Sequence, residues 1–179
     1  MLHKLTDENG DSYVVGKGLK VRDRGFEKIS IEQWAKDVPE PASDYHDELK
    51  FPKRATSKCA GYDFFAPYTF ILQPNQDMKI PTGIKAYMMD DERLSIYPRS
   101  GLGFKYFVRL ANTVGIVDSD YYDNKTNEGH IWIKVRNEGN VPLAVNKGDG
   151  FAQGIFEKYL LADGDDFTGN ERVGGLGST

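Results

Sequence analysis

Five short segments of this chain hold residue types from which a reactive site can be built. Ala60-Gly61-Tyr62-Asp63 sets a carboxylate beside a glycine just ahead of an apolar run; taken alone, it reads as an Asp that caps a turn. Pro98-Arg99-Ser100-Gly101-Leu102-Gly103-Phe104-Lys105 combines a guanidinium, a hydroxyl and glycines that free backbone N–H groups, which is what a polyphosphate requires. Lys105 does not stand where a GxxxxGK[ST] phosphate loop needs it, so a plain turn stays open as the alternative. Between Asn112 and Tyr121, the apolar arm Gly115-Ile116-Val117 runs into Asp118 and Asp120. The two acids share a face if the strand continues, so that one can serve as general base while the other stays solvated; a hairpin with an acidic tip is the other reading. Lys147-Gly148-Asp149-Gly150-Phe151-Ala152-Gln153-Gly154 is a turn feeding a strand that carries one amide able to face inward, Gln153. Arg172-Val173-Gly174-Gly175-Leu176-Gly177-Ser178-Thr179 has the composition of a disordered tail, yet its arginine and two terminal hydroxyls can wrap a phosphate chain when one is present. His3, His46 and His130 are scattered without HxxxH or HExxH spacing, and a histidine-bound zinc is not expected.

A scaffold has to hold these segments, and the sequence after Pro52 describes one. Short β-rich runs recur every 8 to 12 residues or so, with turn residues between them, the pattern of an all-β barrel or sandwich. The expected strands are Tyr68 to Leu72, Met78 to Ile80, Ile84 to Met88, Leu94 to Tyr97, His130 to Val135, Val141 to Val145 and Phe151 to Tyr159. Pro74-Asn75, Pro81-Thr82-Gly83, Asp90-Asp91, Glu138-Gly139-Asn140 and Lys147-Gly148-Asp149-Gly150 supply the turns. No stretch sustains a 3.6-residue apolar period. Residues 1 to about 20 read as an arm or small hairpin, Gly25 to Ile31 as a strand, and EQWAKDV as one helical turn that Pro39 and Pro41 break. Trp132 reads as core, and Trp34 as a packing anchor or a partner contact.

Composition sets the outer limits. The chain has 179 residues, 39% hydrophobic and 28% charged, with a net charge of −4, which excludes a disordered chain, a coiled coil and a collagen repeat and disfavours broad attraction to nucleic acid. One cysteine, Cys59, cannot form an intramolecular disulfide, no apolar run is long enough to span a bilayer, and the first residues lack the apolar core of a secretory leader. The expectation is a cytoplasmic protein without nucleic-acid or membrane partners.

In their order and spacing, AGYD, PRSG, GIVDSDY, GDGFAQ and RVGGLGST resemble the five motifs of the trimeric dUTPase family, the dUTP diphosphatases, over about Lys50 to Thr179. RGFE at Arg24 to Glu27 and the run DYYDNKTNEGHI resemble a bacterial and bacteriophage subgroup with a longer loop after the third motif. The resemblance implies an all-β, jelly-roll-like barrel over residues 50–160, an N-terminal extension over 1–49 and a flexible glycine-rich tail over 161–179 that closes on the site. It implies a homotrimer whose active sites are shared between chains and which hydrolyses dUTP to dUMP and pyrophosphate with Mg²⁺. That reaction limits uracil in DNA and supplies dUMP for thymidylate synthesis. It further implies that Asp118 is the general base and that Asp63 holds Mg²⁺ through water. Arg99, Ser100, Gly101 and Gln153 would contact the phosphates, Asn112 with Gly115, Ile116 and Val117 would read uracil, and Tyr121 would lie against the deoxyribose. Arg172, Ser178 and Thr179 would close over the γ-phosphate.

Three departures from the family pattern stand out. Gly150 replaces a usual arginine, Leu176 replaces a phenylalanine that stacks on uracil, and Arg172 lies one residue nearer the glycine pair. The expected result is weaker base stacking and one positive charge fewer near the phosphates. A dCTP deaminase of the same fold is the alternative enzyme. From another class, a regulatory module could use its tail, or the loop Tyr122 to Glu128, to engage a protein partner.

Overall fold

Proline, glycine and asparagine interrupt the chain so often that its apolar runs close as short strands. The computed structural model describes residues 4–6, 12–14, 19–20, 22–38, 42–169, 172 and 174–175. Strands β1 (Lys4–Thr6), β2 (Ser12–Val14) and β3 (Leu19–Lys20) form a small antiparallel meander of their own. Then come β4 (Gly25–Lys28), helix α1 (Ile31–Asp37), a 3₁₀ stretch (Ala42–Glu48), β5 (Lys53–Arg54), β6 (Tyr62–Phe65), β7 (Phe70–Leu72), β8 (Asp77–Pro81), β9 (Ile84–Tyr87) and β10 (Glu92–Pro98). Helix α2 (Ser100–Tyr106), β11 (Val108–Leu110), β12 (Gly115–Asp118), a 3₁₀ turn (Ser119–Tyr121), β13 (Trp132–Asn137), β14 (Leu143–Val145) and β15 (Gly150–Lys158) complete the order.

Antiparallel pairing builds one five-stranded sheet, β12-β10-β15-β6-β5, one three-stranded sheet, β11-β13-β8, and the pairs β14–β7 and β4–β9. Alternate residues point inward, so Leu94 and Ile96 of β10, Ile133 and Val135 of β13 and Phe151 of β15 meet in one apolar core. This is the all-β barrel expected from the sequence. Several elements were not foreseen there, among them the 3₁₀ stretch Ala42–Glu48 and strands β5 and β6, the second of which takes in Asp63 where a turn was expected. PRSG opens a two-turn helix rather than a turn, and Val108–Leu110 forms a strand too short to show its own period. Among the described residues, no helix is long and apolar enough to cross a membrane.

The segment ahead of the barrel is welded to it. β4 pairs with β9 along its whole length, from Gly25 opposite Tyr87 to Lys28 opposite Ile84. Ser30 caps α1, its Oγ accepting from the Gln33 backbone N–H at 3.1 Å. Trp34 is fully buried with Ile29, Val38 and Leu49 in a second, smaller core, which makes it a packing anchor. Gly83 turns with a positive φ of 70°, and a Cβ there would run into the Leu49 side chain, so only glycine lets the two cores meet this closely.

One ion pair ties this segment to the central sheet. Glu92, only 4% exposed, accepts from Arg24 Nε at 2.9 Å and Nη2 at 2.6 Å and from the Met89 backbone N–H at 3.2 Å. The Arg24 hydrogen bond holds the Glu92 carboxyl below its ordinary range. Its stabilisation is therefore present above that range and lost as pH falls through the depressed value. Arg24→Ala should cost about 1–3 kcal/mol in urea denaturation at neutral pH, because the carboxylate stays buried with one donor. The gap from the wild-type chain should narrow as the pH is taken to about 3.

Candidate active site

Strand β12 lies at the edge of the five-stranded sheet, paired to β10 on one side only. Its outer edge therefore offers alternating N–H and C=O groups to whatever lies alongside. Gly115 faces Ile96 across that pairing, where a Cβ would come within 3.2 Å of the Ile96 Cβ, so glycine keeps the hairpin tight against the sheet. Thr113, at a φ of 66°, reverses the chain ahead of it. A cavity of about 380 Å³ opens beside this hairpin, and Asn112, Gly115, Ile116, Val117, Asp118 and Tyr121 all line it. These residues were singled out from sequence, and the hairpin brings them together. Lys79, Trp132 and Lys134 were not: Trp132 is half-buried on the cavity wall rather than in the core, with the Lys79 ammonium 4.0 Å above its ring. The alternation in HIWIKV puts Trp132 and Lys134 on one face, but nothing in that pattern says which face meets a cavity.

Asp118 ends β12 and Asp120 lies in the 3₁₀ turn that follows. The strand does not continue through Asp120, so the two acids are not related by strand alternation. They converge by another route: Arg172 Nη2 donates to Asp118 Oδ2 at 2.7 Å, and its Nε donates to Asp120 Oδ1 at 2.8 Å. Arg172 thus sits in the cavity wall beside the hairpin. Gly175 packs on the Tyr121 ring so closely that a Cβ would overlap it. Leu176, Ser178 and Thr179 lie outside the described residues.

A second group forms at the other end of the sheet. Tyr97, Gln153 and Asp63 stand in one row across β10, β15 and β6. Arg99 Nε pairs with Asp63 Oδ1 at 3.1 Å, and its Nη1 donates to the Gly150 carbonyl at 2.8 Å. Gln153 Nε2 donates to the Pro98 carbonyl at 3.0 Å. Gly61 leaves room for the Gln153 amide, and Ser100 and Gly101 are exposed at the start of α2. A Cβ at Gly150 would lie 2.7 Å from Arg99 Nη1, so the space of a larger residue is filled by the Arg99 guanidinium.

The two groups do not meet within one chain. Asp118 is opposite Arg93, four residues before Tyr97, and β12 is three strands from β6. At strand spacings of ~3.4 Å per residue and ~4.8 Å between strands, Asp118 and Asp63 are on the order of 20 Å apart.

Comparison with known proteins gives this geometry a context. The family model described as dUTPase matches residues 47–176, more than half of the chain. A deoxyuridine 5'-triphosphate nucleotidohydrolase of Lactococcus lactis is 43% identical over 132 residues, covering 73% of this chain and 88% of the relative. One of Mannheimia succiniciproducens is 38% identical over 138 residues, covering 73% and 87%. The crystal structure of a dUTPase from Streptococcus mutans superposes with a TM-score of 0.65 at 36% identity, covering 78% of this chain and 99% of that one. A dUTPase from phage phi11 of S. aureus shares the fold, with a TM-score of 0.60 at 16% identity, covering 84% and 99%.

The contact between Arg99 and Gly150 makes a direct prediction. Gly150→Ala should push the guanidinium off its carbonyl and its carboxylate, weakening binding of inorganic triphosphate severalfold by calorimetry. Because the displaced group is the end of a flexible side chain, unfolding stability should change by less than about 1 kcal/mol.

Proposed function

The chain belongs to the dUTPase family, and on that premise we propose how its residues hydrolyse dUTP to dUMP and pyrophosphate. The observation that carries the reading is a cavity of about 380 Å³, roomy enough for a base and its sugar, bordered by the open edge of β12, with a carboxylate, Asp118, at the end of the same strand. Uracil lies along β12, its polar edge exchanging hydrogen bonds with Asn112 and the backbone of Gly115 to Val117. A slot of fixed donors and acceptors rejects cytosine by mismatch and thymine by its methyl group. Tyr121 packs against the deoxyribose and leaves no room for a 2'-hydroxyl.

Asp118 takes a proton from water as the water oxygen attacks the α-phosphorus. The bond from that phosphorus to the bridging oxygen breaks, and pyrophosphate leaves with the electron pair. Arg99, Ser100, Gly101 and Gln153 hold the phosphate chain and offset its charge. Arg172 first leaves the two aspartates and then, with Ser178 and Thr179, closes on the γ-phosphate; surface pairs of this kind cost little to exchange.

The donor set tests the fit for Mg²⁺. Among the described residues no cluster of three or more His, Cys, Asp or Glu side chains could cage a metal, and Asp63 stands alone beside Arg99. One carboxylate fits an ion held mainly by substrate phosphates and water, with Asp63 reaching it through water. When bound, Mg²⁺ supplies neutralisation of phosphate charge.

The distance between Asp63 and Asp118 supports a homotrimer with shared sites, because the two cannot serve one α-phosphorus from the same chain. Each site then combines the uracil hairpin of one copy with the phosphate group of another.

Pyrophosphate release from dUTP, dCTP, dTTP and UTP, with Mg²⁺ or chelator, tests the chemistry. Release confined to dUTP, lost with chelator and reduced about 10²- to 10⁴-fold in Asp118→Asn supports it; deamination of dCTP would overturn it. For site sharing, Asp118→Asn and Arg99→Ala chains, each inactive, should regain activity when refolded together. Sites confined to one chain would give no recovery.

A further inference from the structure

We propose that Asn127 is a positioning residue for sugar selection, fixing the Tyr121 ring, and that the segment ahead of the barrel fixes Asn127 in turn. This rests on the reading above that Tyr121 lies against the deoxyribose. The Tyr121 hydroxyl is held twice, by residues that do not line the cavity. It donates to the His130 carbonyl at 2.9 Å and accepts from Asn127 Nδ2 at 2.8 Å. Burial raises the pKa of this phenol, so it keeps the proton that it donates.

The loop that presents Asn127 is built to hold it still. Asn127 Oδ1 accepts from Asn124 Nδ2 at 2.8 Å and from the Gly129 N–H at 3.1 Å, so both ends of its amide are satisfied. Asn124 in turn donates to the Tyr121 carbonyl and accepts from Thr126. The loop pays for this compactness in backbone strain: Asp123 and Glu128 are non-glycine residues at φ values of 53° and 58°. Gly129 is left-handed too, and a Cβ there would lie 2.7 Å from the Tyr121 carbonyl.

Much of what holds the strained loop, beside an ion pair from Lys85 to Asp123, comes from outside the part of the chain that the family model matches, which begins at residue 47. Glu128 accepts from the Ser30 N–H at 2.8 Å and the Ser30 hydroxyl at 2.6 Å, and Ser30 is also the cap of α1. His130 Nε2 accepts from the Gly83 N–H at 2.9 Å, which leaves its proton on Nδ1, donated to Asp37 Oδ2 at 2.5 Å. Tyr122 donates to Glu27 at 2.6 Å. Both ends of the loop are thus tied to β4 and α1.

Such a brace suits sugar selection. An apolar wall rejects an added hydroxyl only modestly, and a wall that can retreat rejects it less. A ring pinned through its hydroxyl cannot tilt to admit a ribose.

The test is the ratio of kcat/KM for dUTP to that for UTP, in the full chain. Asn127→Ala should lower this ratio by about tenfold, mainly through a smaller KM for UTP rather than through kcat for dUTP. Tyr121→Phe removes the hydrogen bond from Asn127, and the one to the His130 carbonyl with it, without touching the loop, and it should lower the ratio at least as far. The double variant should be no worse than Tyr121→Phe alone, since Asn127 then has no hydroxyl left to hold. Multiplying effects, or a ratio within twofold of wild type in folded Asn127→Ala or in Tyr121→Phe, would overturn the proposal. Tyr121→Ala separates the levels. If it leaves the ratio unchanged, the placement of the sugar fails; if it lowers the ratio while Asn127→Ala and Tyr121→Phe do not, only the brace fails.

Discussion

The double pairing of β10, with β12 on one side and β15 on the other, is the constraint on which the rest of this molecule depends. Backbone hydrogen bonds fix its register residue by residue, so Asp118 is locked opposite Arg93 and Gln153 opposite Tyr97. A shift by one residue would turn Leu94 and Ile96 out of the core, which makes the register expensive to change. The separation between the base-reading hairpin and the phosphate-binding group follows from it. In the proposed mechanism a protomer carries two halves of a site rather than one whole site, and assembly of several copies would complete it.

The ligand-free charges are arranged with the same economy. Asp63 is paired with Arg99, and Asp118 and Asp120 with Arg172. In each case a carboxylate needed near a polyanion is held by a guanidinium that binds phosphate in the proposed mechanism. Bidentate and charge-assisted contacts make arginine suited to both partners. Exchange of one oxyanion for another keeps the guanidinium paired, and Asp118 and Asp120, about half exposed, pass to solvent.

The segment of residues 22–49 does more than lengthen the chain. It adds β4 to β9, buries Trp34 in a core of its own and places Ser30, Asp37 and Glu27 against the loop after the third motif. Fully buried His130 is the hinge of this arrangement, with one ring nitrogen on Gly83, the other on Asp37 and its carbonyl under Tyr121. Scattered histidines without metal spacing said nothing of such a role.

Local chemistry was legible in the sequence: turn residues between β-rich runs announced an all-β barrel, and the ordered motifs from Ala60 to Thr179 announced the family. Gly61 and Gly83 could be read as turns and Gly115 as part of a hairpin arm, but the contacts that require them, to Gln153, Leu49 and Ile96, come from other parts of the chain. The helix at Ser100 and the strand at Val108 were hidden because seven and three residues are too few to display a period. Trp132 looked like core because alternation assigns a face without saying whether that face meets protein or cavity. The sequence by itself determined which side chains are present and what bonds each can make. Only the tertiary structure decided which of them meet, because strand register and the packing of one sheet on another set distances that no spacing along the chain records.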